Sequence, residues 1–70
     1  MKLYVVHLPV SRPFSEVRDN AKRVSPYCMV TVVNEGRSFE FQDELAAKEV
    51  ARVFDGKIDI IEYDVKSLMK

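Results

Sequence analysis

Three features of the sequence predict an α+β fold. β-branched and aromatic segments stand at its start, middle and end, two stretches between them have helical periodicity, and an Asn-Glu-Gly turn separates the second and third extended segments. Together they read strand, helix, strand, turn, strand, helix, strand. That order predicts a two-layer sandwich, a four-stranded antiparallel sheet with two helices on one face.

The first strand is predicted over Lys2 to Leu8, KLYVVHL, with Pro9 ending its pairing. Phe14, Val17, Ala21 and Val24 then recur at spacings of three, four and three, which places them on one helical face. Ser11 or Ser15 is available as the cap, and Ser25-Pro26 stops the helix. A second strand from Tyr27 to Val33 meets a three-residue hairpin loop, Asn34-Glu35-Gly36, in which glycine supplies the left-handed position. The third strand returns over Arg37 to Phe41. Asp43 is the expected cap of a second helix running to about Asp55, with Ala47, Val50, Ala51 and Phe54 as its buried stripe and Gly56 as its left-handed terminator. The last strand begins at Ile58. Its alternation breaks between Ile60 and Ile61, so either both faces are partly covered there or a bulge shifts the register. Residues 66–70 are expected to form a loose tail. The whole is the ferredoxin-like arrangement, βαββαβ.

Seventy residues allow one domain, and a chain this short buries only about 60% of the surface its unfolded form exposes, so its large apolar side chains are needed for the core. With 47% hydrophobic and 31% charged residues the chain is expected to be globular rather than disordered. Eleven basic residues balance eleven acidic ones, so no global field draws in nucleic acid or an anionic membrane. The single cysteine, Cys28, excludes an internal disulfide and a sulfur-ligated zinc site, and a reducing, cytoplasmic setting is the simplest expectation. The apolar run from Leu3 to Val10 is too short to span a bilayer and lacks a cleavage signal.

Two segments resemble the RNA-recognition motif. Leu3, Tyr4, Val5, Val6, His7 and Leu8 are similar to the family's first-strand pattern, with histidine in its asparagine place, and GRSFEFQDELAAKEVARVFDGK is similar to its third strand running into its second helix. The resemblance implies RNA binding through outward aromatics of the first and third strands. Tyr4 matches the first of these. If Phe41 aligns with the last aromatic of the third-strand pattern, Phe39 and Phe41 face the helices, and the outward places fall to Gly36 and Ser38. Shifting by two residues would bring both rings outside, but it would bury Gln42 and strip the strand of its apolar face.

Candidate chemistry is sparse. His7 is the only histidine, and it serves as a general base, a metal ligand or a pH switch only if partners converge on it. Cys28 would be a nucleophile with His7 as base if neighbouring strands brought them together, whereas its apolar neighbours point to a small core residue. Asp59, Glu62 and Asp64 read as a solvated edge rather than a paired carboxylate site, since alternation sets Asp59 apart from the other two. Both glycines are accounted for by turns, leaving no phosphate loop. No catalytic residue, cofactor or metal is expected.

Two kinds of surface remain. A sheet covered on one side leaves Tyr4, Val6, Met29, Thr31 and Val33 as the expected outward residues, too apolar for a plain solvated face. Homodimerisation or an edge-strand protein contact would follow, with Tyr63 or Val65 contributing if the fourth strand bulges. The alternative is RNA or single-stranded nucleic-acid binding through Tyr4 and a local basic patch of Arg12, Arg18, Lys22, Arg23 and Arg37.

Overall fold

A computed structural model describes residues 2–62. Strands β1 (Lys2–His7), β2 (Val30–Val33), β3 (Ser38–Phe41) and β4 (Lys57–Glu62) alternate with helices α1 (Phe14–Val24) and α2 (Glu44–Phe54) in the predicted βαββαβ order. The sheet is antiparallel, ordered β2-β3-β1-β4, which leaves β2 and β4 as its edges. This is the ferredoxin-like sandwich. Among the described residues no helix is long and apolar enough to cross a membrane.

One apolar cluster holds the two layers together. Val6 and Leu8, Phe39 and Phe41 of β3, Val17 and Ala21 of α1, and Ala46, Ala47, Val50 and Phe54 of α2 are its buried members. Phe39 and Phe41 are the two largest fully buried side chains, which settles the third strand as read: its rings face the helices. Of the expected α1 stripe only Val17 and Ala21 are buried, while Phe14 and Val24 lie at its exposed rim. On α2 the stripe is Ala46, Ala47, Val50 and Phe54, with Ala51 packed beside it.

Helix ends follow local chemistry. The Asp43 carboxylate accepts from the amides of Leu45 (2.9 Å) and Ala46 (3.4 Å), the expected N-cap of α2. At α1 neither Ser11 nor Ser15 caps the helix: Pro13 occupies the N-cap position without a side-chain bond, and its carbonyl accepts from the Val17 amide at 3.3 Å. A proline there brings its fixed φ to the helix entrance in place of a hydroxyl.

Several boundaries shift from the sequence reading. β2 begins at Val30 rather than Tyr27, and β3 at Ser38 rather than Arg37. The hairpin loop spans 34–37, since Val33 pairs with Ser38, and Asn34, Glu35 and Gly36 all have positive φ. The left-handed residue that ends α2 is Asp55 (φ 57°), not Gly56. Gly56 is required for another reason: a Cβ there would lie 2.9 Å from the His7 carbonyl and from the side chains of Val6 and Leu8. Nor does β4 bulge, because six consecutive pairs run from Lys2 with Glu62 to His7 with Lys57. Ile60 and Ile61 therefore point to opposite faces and stay exposed because β4 is an edge. Tyr63, Val65 and the tail lie outside the described residues.

Two substitutions test these backbone assignments. Gly56→Ala is expected to cost about 1–3 kcal/mol in denaturant unfolding, the usual penalty for forcing atoms into packed space. Glu35→Asn is expected to stabilise by roughly 0.5–1 kcal/mol, part of the cost that a side chain without local hydrogen bonding carries in the left-handed region. Unchanged midpoints would contradict both.

Candidate functional site

The ladder register decides which side chains face away from the helices. Directly paired residues share a face. Tyr4 pairs with Phe41 and Ile60, and Val6 with Phe39 and Ile58, so these belong to the helix-covered side. Leu3, Val5 and His7 face out with Ser38 and Glu40 of β3 and with Lys57, Asp59 and Ile61 of β4. Thr31 and Val33 of β2 complete this face through their pairs with Glu40 and Ser38. Its centre is Val5, only 7% exposed although no helix among the described residues covers it, with Glu40 and Asp59 flanking it from the two neighbouring strands.

At one end of the face three side chains from three adjacent strands are joined. His7 Nδ1 is 2.9 Å from Ser38 Oγ, and His7 Nε2 is 2.8 Å from Asp59 Oδ2. An ionised carboxylate only accepts, so Nε2 carries a proton; in the neutral ring Nδ1 then accepts from the Ser38 hydroxyl. The residue types are those of an acyl-transfer triad, but the serine is on Nδ1 and the carboxylate on Nε2, the reverse of the chymotrypsin arrangement. Ser38 is also a buried residue on an open face, whereas a serine nucleophile must reach its substrate. What this line does is tie β3 and the β4 edge together across β1.

The expected interaction residues divide. Tyr4 and Val6 do not face outward: Val6 is fully buried in the core and Tyr4 is half-buried against it, because Phe39 and Phe41 must be inside and the register carries their β1 partners with them. Thr31 and Val33 lie on the uncovered face, and Met29, 71% exposed, precedes β2. The basic residues are dispersed. Arg12 is 3.9 Å from Glu16 and lies over the Phe54 ring, and Arg18 is 3.6 Å from Asp19 and lies over the Phe14 ring. The Arg12 amide donates to the Gly36 carbonyl at 3.1 Å, which places its backbone beside the hairpin that carries Arg37. Lys22 and Arg23 occupy the last turn of α1, about 15 Å further along a helix of this length.

Cys28 and His7 are not brought together, since His7 engages Ser38 and Asp59 while Cys28 packs against the core cluster. Burial foremost, and the nearby Asp43 carboxylate, push the Cys28 thiol above its ordinary pKa, with Lys22 acting the other way. Cys28 lines an open depression with Tyr27, Met29, Gln42, Asp43 and Glu44. Asp43 also accepts from the Ser25 hydroxyl, which clamps the end of α1 to the start of α2. That bond foremost, then the Ala46 and Leu45 amides, hold the Asp43 carboxyl below its ordinary pKa against an opposing effect of burial. Among the carboxylates of the solvated edge, Glu62 lies 4.0 Å from Lys2, Asp59 is held by His7, and Asp64 is outside the described residues. No group of three or more metal-ligating side chains occurs among the described residues.

The His7 line was not foreseen from the sequence, because Ser38 and Asp59 are 31 and 52 positions from His7 and meet it only through the strand register. The outward places of Leu3, Val5 and Ile61 needed the same register. Compared with known proteins, the chain matches no family, no curated protein and no solved structure.

Two measurements follow. Asp43→Ala is expected to cost about 0.5–2 kcal/mol, the usual range for a lost N-cap. Because the folded-state pKa of Asp43 is depressed, its contribution is present above the unfolded carboxyl pKa and fades as pH falls through the folded value; the difference between wild type and variant must shrink in acid. For Cys28 the expectation is slow alkylation at neutral pH, unchanged by His7→Ala, since the thiolate is disfavoured and the imidazole is elsewhere. Rapid, His7-dependent labelling would contradict the geometry.

Proposed function

We propose that the chain is a small non-catalytic interaction or regulatory protein of the reducing cytoplasm that engages a protein partner or a second copy through the uncovered side of its sheet and the adjoining edge. The observation that carries this reading is the β4 edge, where Ile60 is 58% and Ile61 41% exposed on opposite faces of a sheet whose described helices all lie on one side. Apolar residues on both faces of an edge strand favour association. The His7 line supports the non-catalytic part, since it presents a buried serine on an open surface, and the lone free Cys28 is compatible with a reducing compartment. No cofactor or metal enters the reading.

Nucleic-acid binding fits the geometry less well. Among the described residues the uncovered face carries no aromatic ring: Tyr4, Phe39 and Phe41 are on the other side. A nucleic-acid surface would fall on Arg12, Arg18, Lys22, Arg23 and Arg37, two of which already have carboxylate neighbours. Mass measurement by light scattering, with and without a pool of short single-stranded RNA and DNA at low and moderate salt, separates the two. The expected result is a mass indifferent to nucleic acid. A gain in mass that fades as salt rises would replace this reading with phosphate binding.

A further inference from the structure

We propose that Asp55-Gly56, the junction between α2 and β4, is a site of spontaneous backbone modification gated by the fold: inert while the helix end is intact, and open to isomerisation to isoaspartate when that end releases. The inference is independent of the interaction reading above. Asp55 is the only aspartate or asparagine in the chain that is followed by glycine. The chemistry favours that pair. Once the Gly56 amide has given its proton to a solvent base, its nitrogen attacks the side-chain carboxyl carbon of Asp55; the new N–C bond forms, water leaves and a succinimide closes. Water then re-enters at one of the two ring carbonyls. Opening at the former side-chain carbonyl restores aspartate. Opening at the main-chain carbonyl breaks the original peptide bond and leaves isoaspartate, with the chain running through the side-chain methylene at unchanged mass. Glycine assists because it has no Cβ to crowd the attacking nitrogen and reaches the required conformations freely.

Three observations keep the folded chain out of this reaction. Ring closure needs the Asp55 Cβ and the Gly56 nitrogen eclipsed about the Cα–C bond. In the left-handed conformation that ends α2, Asp55 has φ 57° and ψ 42°, which sets those two atoms on opposite sides of that bond. The Gly56 amide donates to the Ala51 carbonyl at 2.8 Å, so its proton is held and its nitrogen faces the helix end. The peptide cannot pivot in place either, since a Cβ on Gly56 would already lie 2.9 Å from the His7 carbonyl and from the side chains of Val6 and Leu8. Asp55 itself is exposed, so geometry rather than access to water is what the fold withholds. Opening is fast against chemistry this slow, and the rate is then that of the unfolded chain scaled by the open fraction. The product does not fit back. Isoaspartate lengthens the backbone by one methylene at a junction packed against β1, where His7 pairs with Lys57, so the modified chain cannot rebuild the native connection.

The test incubates the full chain at neutral pH, in buffer and in unfolding guanidinium chloride, with circular dichroism confirming that wild type and Val17→Ala are folded in buffer. Isoaspartate is then located by peptide chromatography and fragmentation. The expected result is isoaspartate at position 55 in denaturant, formed more slowly in buffer by about tenfold or more because only the rare open chain reacts. Val17→Ala, which loosens the core at a buried position of α1, is expected to speed the reaction in buffer and leave the rate in denaturant unchanged. Asp55→Glu, which would need a larger ring, is expected to abolish it in both. Equal rates in buffer and denaturant overturn the gating. Isoaspartate that is absent from position 55 in denaturant, or that arises first at Asn20, Asn34 or another acidic residue, overturns the assignment. The isolated isoaspartate form is expected to unfold at lower denaturant than wild type; an unchanged midpoint overturns the claim that the junction cannot re-form.

Discussion

Everything on the surface of this protein depends on where Phe39 and Phe41 go. They are the two largest fully buried side chains, and both belong to a four-residue strand. In a chain this short there is a single core to receive them, and each ring is worth several kcal/mol when buried, on the order of 3–5 by truncation. Strand side chains alternate with a period of two, so committing these rings to the helix side commits Ser38 and Glu40 to the other. The ladder then propagates the choice through Tyr4 and Val6 to Ile58 and Ile60, and through Val30 and Val32 to the far edge.

The uncovered face is the remainder of that choice. It gathers His7, Ser38 and Asp59 at one end and sets apolar Val5 between Glu40 and Asp59. One of these bonds is part-buried and the other exposed, and both contribute modestly to stability, the exposed His7–Asp59 contact least. Their consequence is orientation. They hold β3, β1 and β4 in one register and turn the only acidic side chain at the middle of the edge inward. The same register that turns Tyr4 inward leaves the uncovered face without an aromatic ring among the described residues, which is the ground on which an apolar strand contact is proposed in place of a nucleic-acid platform.

The order of elements was legible in the sequence because each has a local signature: helical spacing in 14–24 and 44–54, β-branched runs in the strands, and Asp43 before the second helix. The facing of β1 was not. KLYVVHL is apolar on both parities, Leu3 and Val5 against Tyr4 and Val6, so alternation alone cannot choose a side and only pairing with β3 decides. Gly56 reads from sequence as the left-handed helix terminator, but that conformation falls to Asp55, and what requires glycine at 56 is space against Val6, His7 and Leu8, a tertiary fact. The third-strand rings were placed correctly because Gln42 cannot be buried cheaply, a penalty readable from residue type alone. The His7 line was illegible for want of register, being formed by residues 31 and 52 positions apart.

Hydrogen exchange of the backbone amides, followed as protein concentration is raised, tests the central claim most directly. If β4 is the edge at which this protein associates, protection of amides in 57–62 must increase with concentration while that of β2 at 30–33 stays constant. Protection at β4 that is independent of concentration, or that rises at β2 instead, would contradict the account.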